Sequence, residues 1–149
     1  MNLKKIKVYH LFWFVSIIVL LIGTFNPDET LDINVHDTYF IIAQLHVAIV
    51  LFLFFFLNGF GYWFVHRVLK KSLEKYLTLI HSFIVLGSFI FYWLIILYSK
   101  LFLFNPDFLL FDEYQLINII LISEFMLIVF IALPIFITNL LIAIFRKNT

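Results

Sequence analysis

Hydrophobic positions in this chain fall into four long runs, separated by shorter polar or mixed segments. The runs cover residues 8–25, 39–65, 76–99 and 116–145. A helix needs about 20 apolar residues, each rising about 1.5 Å, to cross the hydrocarbon core of a bilayer. Each run therefore predicts a membrane-spanning helix, and the second and fourth are long enough that we expect them to tilt.

Composition excludes a soluble domain. Of the 149 residues, 64% are hydrophobic and 13% are charged, and the mean hydropathy is +1.10. Soluble domains have about 25% charged residues and about half apolar residues. The sequence therefore predicts an all-α fold: an integral membrane four-helix bundle that forms a single transmembrane domain over residues 1–149. Because there is no cysteine, disulfide frameworks and thiolate metal sites are excluded.

Charge orients this bundle. The two terminal segments and the 66–75 connection contain nine basic residues and one acid, Glu74. The 26–38 and 100–115 connections contain seven acids and one base, Lys100. The positive-inside rule then predicts that both termini are cytoplasmic. We expect the inner membrane of a bacterium as the location and the lipid bilayer as a partner, with no nucleic acid. The apolar 100–115 connection is expected to lie in the outer interface.

Three histidine or acidic side chains lie well inside the predicted spans: His46, His81 and Glu124, whereas His10 lies at the cytoplasmic end of the first span. Such groups are costly in lipid and are functional candidates by default. His46 and Glu124 each lie eight residues into a span that descends from the outer face, or about 12 Å at 1.5 Å per residue. Equal depth predicts that they pair, directly or through a ligand. His81 lies near the inner end of the third span, so it is not expected to share a ligand with His46.

Two interpretations of His46 follow from these residues alone. It is either a buried structural histidine bonded to Glu124 or a cofactor ligand, and structural pairs are the commoner outcome in bundles. A further set of polar and small residues in the spans predicts hydrogen bonds between helices or close helix approach. They are Gln44, Asn58, Gly59, Gly61, Gly87, Ser88, Ser123, Thr138 and Asn139.

One stretch resembles a known family. Residues 31–46 read Leu-Asp-Ile-Asn-Val-His-Asp-Thr-Tyr-Phe-Ile-Ile-Ala-Gln-Leu-His. This is similar to the signature L-D-x-x-x-H-D-T-Y-[FY]-V-V-A-H-F-H in subunit I of haem–copper oxidases, the cytochrome c and quinol oxidases, where the tenth helix begins. In that family the last two histidines each ligate a different haem iron, and the earlier His-Asp pair helps to hold magnesium.

The resemblance assigns expected roles to four residues. His46 matches the axial ligand of the low-spin haem, and His36 and Asp37 match the magnesium pair. Gln44 stands where the family has the ligand of the high-spin haem. An amide is a poor ligand for haem iron compared with imidazole. The resemblance therefore implies haem and magnesium as candidate cofactors, without an oxygen-reducing site.

The family's copper-ligating segment, the His-His pair after it and the second histidine for the low-spin haem are absent from this chain. We therefore expect no catalysis by the isolated protein. The resemblance implies a non-catalytic accessory or assembly component of the respiratory chain, with other oxidase subunits as partners. One alternative is a haem-binding electron carrier in which His46 is one axial ligand and a second copy of the chain or a partner supplies the other. Another is a structural membrane protein without a cofactor.

Overall fold

The computed structural model describes residues 7–25, 28–35, 38–98 and 111–146. These residues are mostly helical and include four helices long and apolar enough to cross a membrane. The helices are α1 (Val8–Phe25), α2 (Gln44–Trp63), α3 (Lys75–Tyr98), α4 (Phe111–Leu127) and α5 (Leu133–Phe145), and the strands are β1 (Thr30–Val35) and β2 (Thr38–Ala43). Two π-helical turns, Phe64–Val68 and Ile128–Ala132, extend α2 and join α4 to α5, so the fourth span is continuous. The prediction of four long apolar helices is confirmed.

The all-α prediction is wrong for Thr30–Val35 and Thr38–Ala43, which are strands. β1 and β2 pair as an antiparallel hairpin from Thr30 opposite Ala43 to Val35 opposite Thr38. In β1 three apolar residues alternate with two polar ones, a period of two that favours a strand over a helix. As a result, α2 begins at Gln44 and not at residue 39. At the other connection, α4 begins at Phe111, inside the segment expected to be a loop up to residue 115.

The chain forms two compact units. Unit 1 comprises Met1–Leu73 and Leu140–Thr149, and so contains α1, the hairpin, α2 and the end of α5. Unit 2 comprises Glu74–Asn139 and contains α3, α4 and the start of α5.

In unit 1, α1 and α2 pack as an antiparallel pair. The ring of Phe12, early in α1, lies 5.9 Å from that of Tyr62, late in α2, and both side chains are buried. At the other end, Gly23 lies directly against Ala48. The missing glycine side chain lets the two backbones approach closely, as in many membrane helix pairs.

In unit 2, α3 packs antiparallel against the α4–α5 span. The buried His81 ring stacks on Phe136 with centroids 5.0 Å apart. One turn nearer the start of α3, Asn139 donates to the Thr78 hydroxyl at 2.8 Å. Residues early in α3 therefore meet residues late in the fourth span.

Proline accounts for the π-helical turn in the fourth span. Pro134 has no N–H and cannot complete the helical bond to the carbonyl four residues earlier. The turn Ile128–Ala132 lies just before it, and the Leu133 N–H donates to the Ile128 carbonyl, five residues back. Such widened turns are a common way for a helix to absorb a disruption of its hydrogen-bond ladder.

Candidate functional site

The segment that resembles the oxidase signature folds as one local piece. Its strands form the hairpin, and α2 follows β2 without an intervening loop. The backbone N–H of Gln44 donates to the carbonyl of Glu29 at 2.9 Å, which fastens the start of α2 to the residue before β1. The described residues of this segment therefore form a hairpin, and the first turn of α2 is attached directly to it.

His46 lies in the first turn of α2, and its side chain is exposed. Gln44, the first residue of the helix, is half-buried. The end of α1 lies beside this turn, because a Cβ added to Gly23 would lie 3.4 Å from the Gln44 carbonyl oxygen. The candidate site is thus the hairpin end of unit 1, with His46 as its accessible imidazole.

The other histidines of the described residues lie elsewhere. Tyr9, at the opposite end of unit 1, has ring contacts with His10 at 4.3 Å and with His66 at 6.3 Å. His81 is buried in unit 2 against Phe136. A low-spin haem with two imidazole ligands therefore does not fit unit 1 of a single copy, as far as its described residues go. His46 can supply one of the two axial ligands.

The helices that carry His46 and Glu124 begin at residues other than those assumed in the equal-depth argument. It assumed that both residues lie the same number of turns into their helices. His46 is in the first turn of α2, whereas Glu124 is in the fourth turn of α4. His46 belongs to unit 1 and Glu124 to unit 2, and their pairing stays a prediction.

Glu124 has an unusual environment within unit 2. Its Oε1 atom is buried and has no hydrogen-bond partner among the described residues. The neighbouring hydroxyl of Ser123 donates to the Ile119 carbonyl in its own helix at 2.7 Å, so it does not serve the carboxyl. Tyr92, on α3, lies near this carboxyl. Buried polar atoms without partners are rare and call for an explanation.

The magnesium prediction rests on His36 and Asp37, which lie outside the described residues, as does most of the 100–115 connection. Among the residues that are described, no group of three or more His, Asp or Glu side chains is placed to hold a metal ion. The magnesium site therefore stays a prediction.

Predictions about polar and small residues had mixed outcomes. Asn139 does bond between helices, to Thr78 and to the Glu74 backbone, and Gly59 does allow close approach, lying against Trp13. Asn58 and Ser123 instead donate to carbonyls of their own helices, and a Cβ on Gly87 would meet nothing within 4 Å. Sequence reasoning missed Gly23, although its spacing from Ser16, seven residues earlier, places both on one face of α1.

Comparison with known protein families, characterised proteins and solved structures gave no significant match to this chain.

Proposed function

We propose that this membrane protein is a non-catalytic accessory or assembly component of a haem–copper oxidase. The observation that carries the proposal is the sixteen-residue similarity at 31–46, whose described part forms a hairpin attached to the first turn of α2. This end of unit 1 is the surface through which it acts.

Residue chemistry supports a role without catalysis. Gln44 replaces an imidazole that the signature provides for the oxygen-binding haem, and the copper-ligating segment is missing from the sequence. His46, by contrast, retains its imidazole and is exposed. A surface that keeps much of the signature's sequence but lacks the ligands for the oxygen-reducing metals is suited to binding oxidase subunits.

The proposal includes an orientation with both termini in the cytoplasm. Because α1 and α2 are antiparallel, Lys7 and Arg67 lie at one end of unit 1. Both are separated from Asp28 and Glu29 at the hairpin end by the length of the helices. Basic residues favour the cytoplasmic side. The hairpin is accordingly placed at the outer face.

A haem-binding electron carrier is the second candidate, and the exposed imidazole of His46 favours it. In this function His46 supplies one axial ligand, and a second copy or a partner supplies the other. A Soret band that disappears in His46→Leu and scales with dimer content would select this candidate over the accessory role.

The test is to purify the tagged protein from its native membrane in mild detergent and to identify the chains that accompany it. We expect oxidase subunits in near-equal amount, and a marked loss of them in His46→Ala. His10→Ala is the matched control, because His10 is also exposed but lies at the opposite end of unit 1. Absence of oxidase subunits from the wild-type preparation would contradict the proposal.

A further inference from the structure

Glu124 is a carboxyl group in a strongly apolar span. Between Asn118 and Phe145 it is the sole Asp, Glu, Lys or Arg residue. An ionised carboxylate in the hydrocarbon region costs several kcal/mol unless it is paired or reaches water. Its retention therefore calls for a partner, or for a form that carries no charge.

Contacts within unit 2 show which residues are near. Asn139 donates a hydrogen bond to Thr78, and His81 stacks on Phe136. Phe136 lies about three turns after Glu124 in the fourth span. Moving along this antiparallel pair toward the end of α3 brings Tyr92 opposite Glu124, in agreement with the electrostatic interaction between them. Tyr92 is thus the titratable group of α3 that faces the carboxyl.

No cation compensates the carboxyl within the described part of unit 2. Lys75 is at the far end of α3, beyond Thr78, and the buried His81 is engaged with Phe136. The fourth span adds no other charged side chain. Oε1 is buried without a hydrogen-bond partner, and the Ser123 hydroxyl bonds to its own helix. A tyrosine hydroxyl can form a hydrogen bond with a neutral acid, but it carries no positive charge to compensate a carboxylate.

We propose that Glu124 is a proton-binding site within the membrane, which holds its carboxyl as a neutral acid beside Tyr92. Burying a neutral acid costs far less than burying its ion, so the proton is the ligand that makes the group tolerable in this span. The inference goes beyond the proposed function, which assigns no role to unit 2.

A hydrophobic carbodiimide such as dicyclohexylcarbodiimide tests this directly. The acid transfers its proton to a carbodiimide nitrogen while a carboxyl oxygen bonds to the central carbon. The resulting O-acylisourea rearranges to a stable N-acylurea, so the whole reagent is added and nothing leaves. At about pH 7 an ordinary glutamate, with a pKa of about 4.3, is ionised and reacts poorly.

We expect one adduct per chain in detergent-solubilised protein at neutral pH, mapped by peptide mass spectrometry to Glu124. The adduct should be lost in Glu124→Gln and retained in Glu29→Gln, the matched control, because Glu29 is exposed at the hairpin end. Gln reproduces the size and neutrality of the acid, so Glu124→Gln should melt close to wild type.

The His46→Leu variant separates this proposal from an ion pair between His46 and Glu124. A proton site predicts unchanged labelling in this variant. Wild-type protein that fails to label at Glu124, or that labels there only after His46→Leu, would overturn the proposal. The readout is an adduct mass, so its outcome does not depend on whether oxidase subunits bind.

Discussion

The two units bring their helices together by different means. In unit 1, glycine lies at both ends of the α1–α2 contact, with Gly23 against Ala48 and Gly59 against Trp13. The buried polar side chains of this pair, Ser16 and Asn58, donate to carbonyls of their own helices. In unit 2, by contrast, Asn139 crosses from α5 to bond Thr78 and the Glu74 N–H at the start of α3.

This difference reflects the two forces available to helices in lipid. Burial of apolar surface gives no advantage there, because the lipid chains are as apolar as leucine. Close packing through small residues is one source of attraction, and hydrogen bonds between helices are the other. The α1–α2 pair uses the first and the α3–α5 contact uses the second, so each should be sensitive to a different substitution.

The largest effect is expected for Gly23→Ala. Its new Cβ would overlap the Cβ of Ala48, so α1 and α2 would have to separate. Overpacking of this kind costs about 1–3 kcal/mol. We expect a clear drop in the thermal midpoint in detergent. Gly87→Ala is the matched control, since its Cβ meets nothing within 4 Å and alanine is the better helix former. Equal melting of the two variants would refute close packing as the basis of unit 1.

A smaller loss is expected for Asn139→Ala. It removes the acceptor for the Glu74 N–H at 2.9 Å and the donor to Thr78 at 2.8 Å. Hydrogen bonds between membrane helices contribute about 0.6 kcal/mol on average and up to about 1.7 kcal/mol. A double-mutant cycle with Thr78→Val should give a coupling energy in this range. A control cycle of Asn58→Ala with Thr78→Val should show no coupling, because Asn58 bonds to its own helix. Absence of coupling between Asn139 and Thr78 would contradict a stabilising hydrogen bond between them.

The smallest effect should be a gain. Lys70, which follows the π-helical turn after α2, has a φ of 51°, where a side chain is strained. Its position matches a helix C-cap, because the Lys71 N–H donates back to the Val65 carbonyl at 3.1 Å. Lys70→Gly should therefore raise stability by up to about 1 kcal/mol. Ser72→Gly is the control, because Ser72 does not have a positive φ, and it should give no such rise in the thermal midpoint.

The long helices could be predicted because hydropathy alone determines which segments tolerate lipid. The residues at which the helices begin were harder to predict from the sequence. Residues 38–43 are as apolar as the helix that follows, so composition could not separate β2 from α2, and the alternating pattern in β1 was the available signal. The strand pair places the start of α2 at Gln44 instead of residue 39.

The tertiary contacts show the same limit. Asn139 was expected to bond between helices, but its partner Thr78 lies 61 residues earlier, and no local pattern joins the two. Asn58 carries the same side chain and bonds to its own helix, at the Phe54 carbonyl. Residue type predicts that a polar group in a span needs a partner, whereas only the packing of the helices decides which partner it finds.

Labelling of single cysteines tests most directly the claim that this is a membrane protein with its hairpin end outside. The chain has no native cysteine, so Glu29→Cys and Ser72→Cys each introduce a unique thiol at an exposed position. In intact cells, a membrane-impermeant maleimide should modify Cys at position 29 and should reach position 72 only after permeabilisation. Modification of position 72 alone in intact cells would contradict the orientation, and modification of both would contradict a membrane barrier between the two ends.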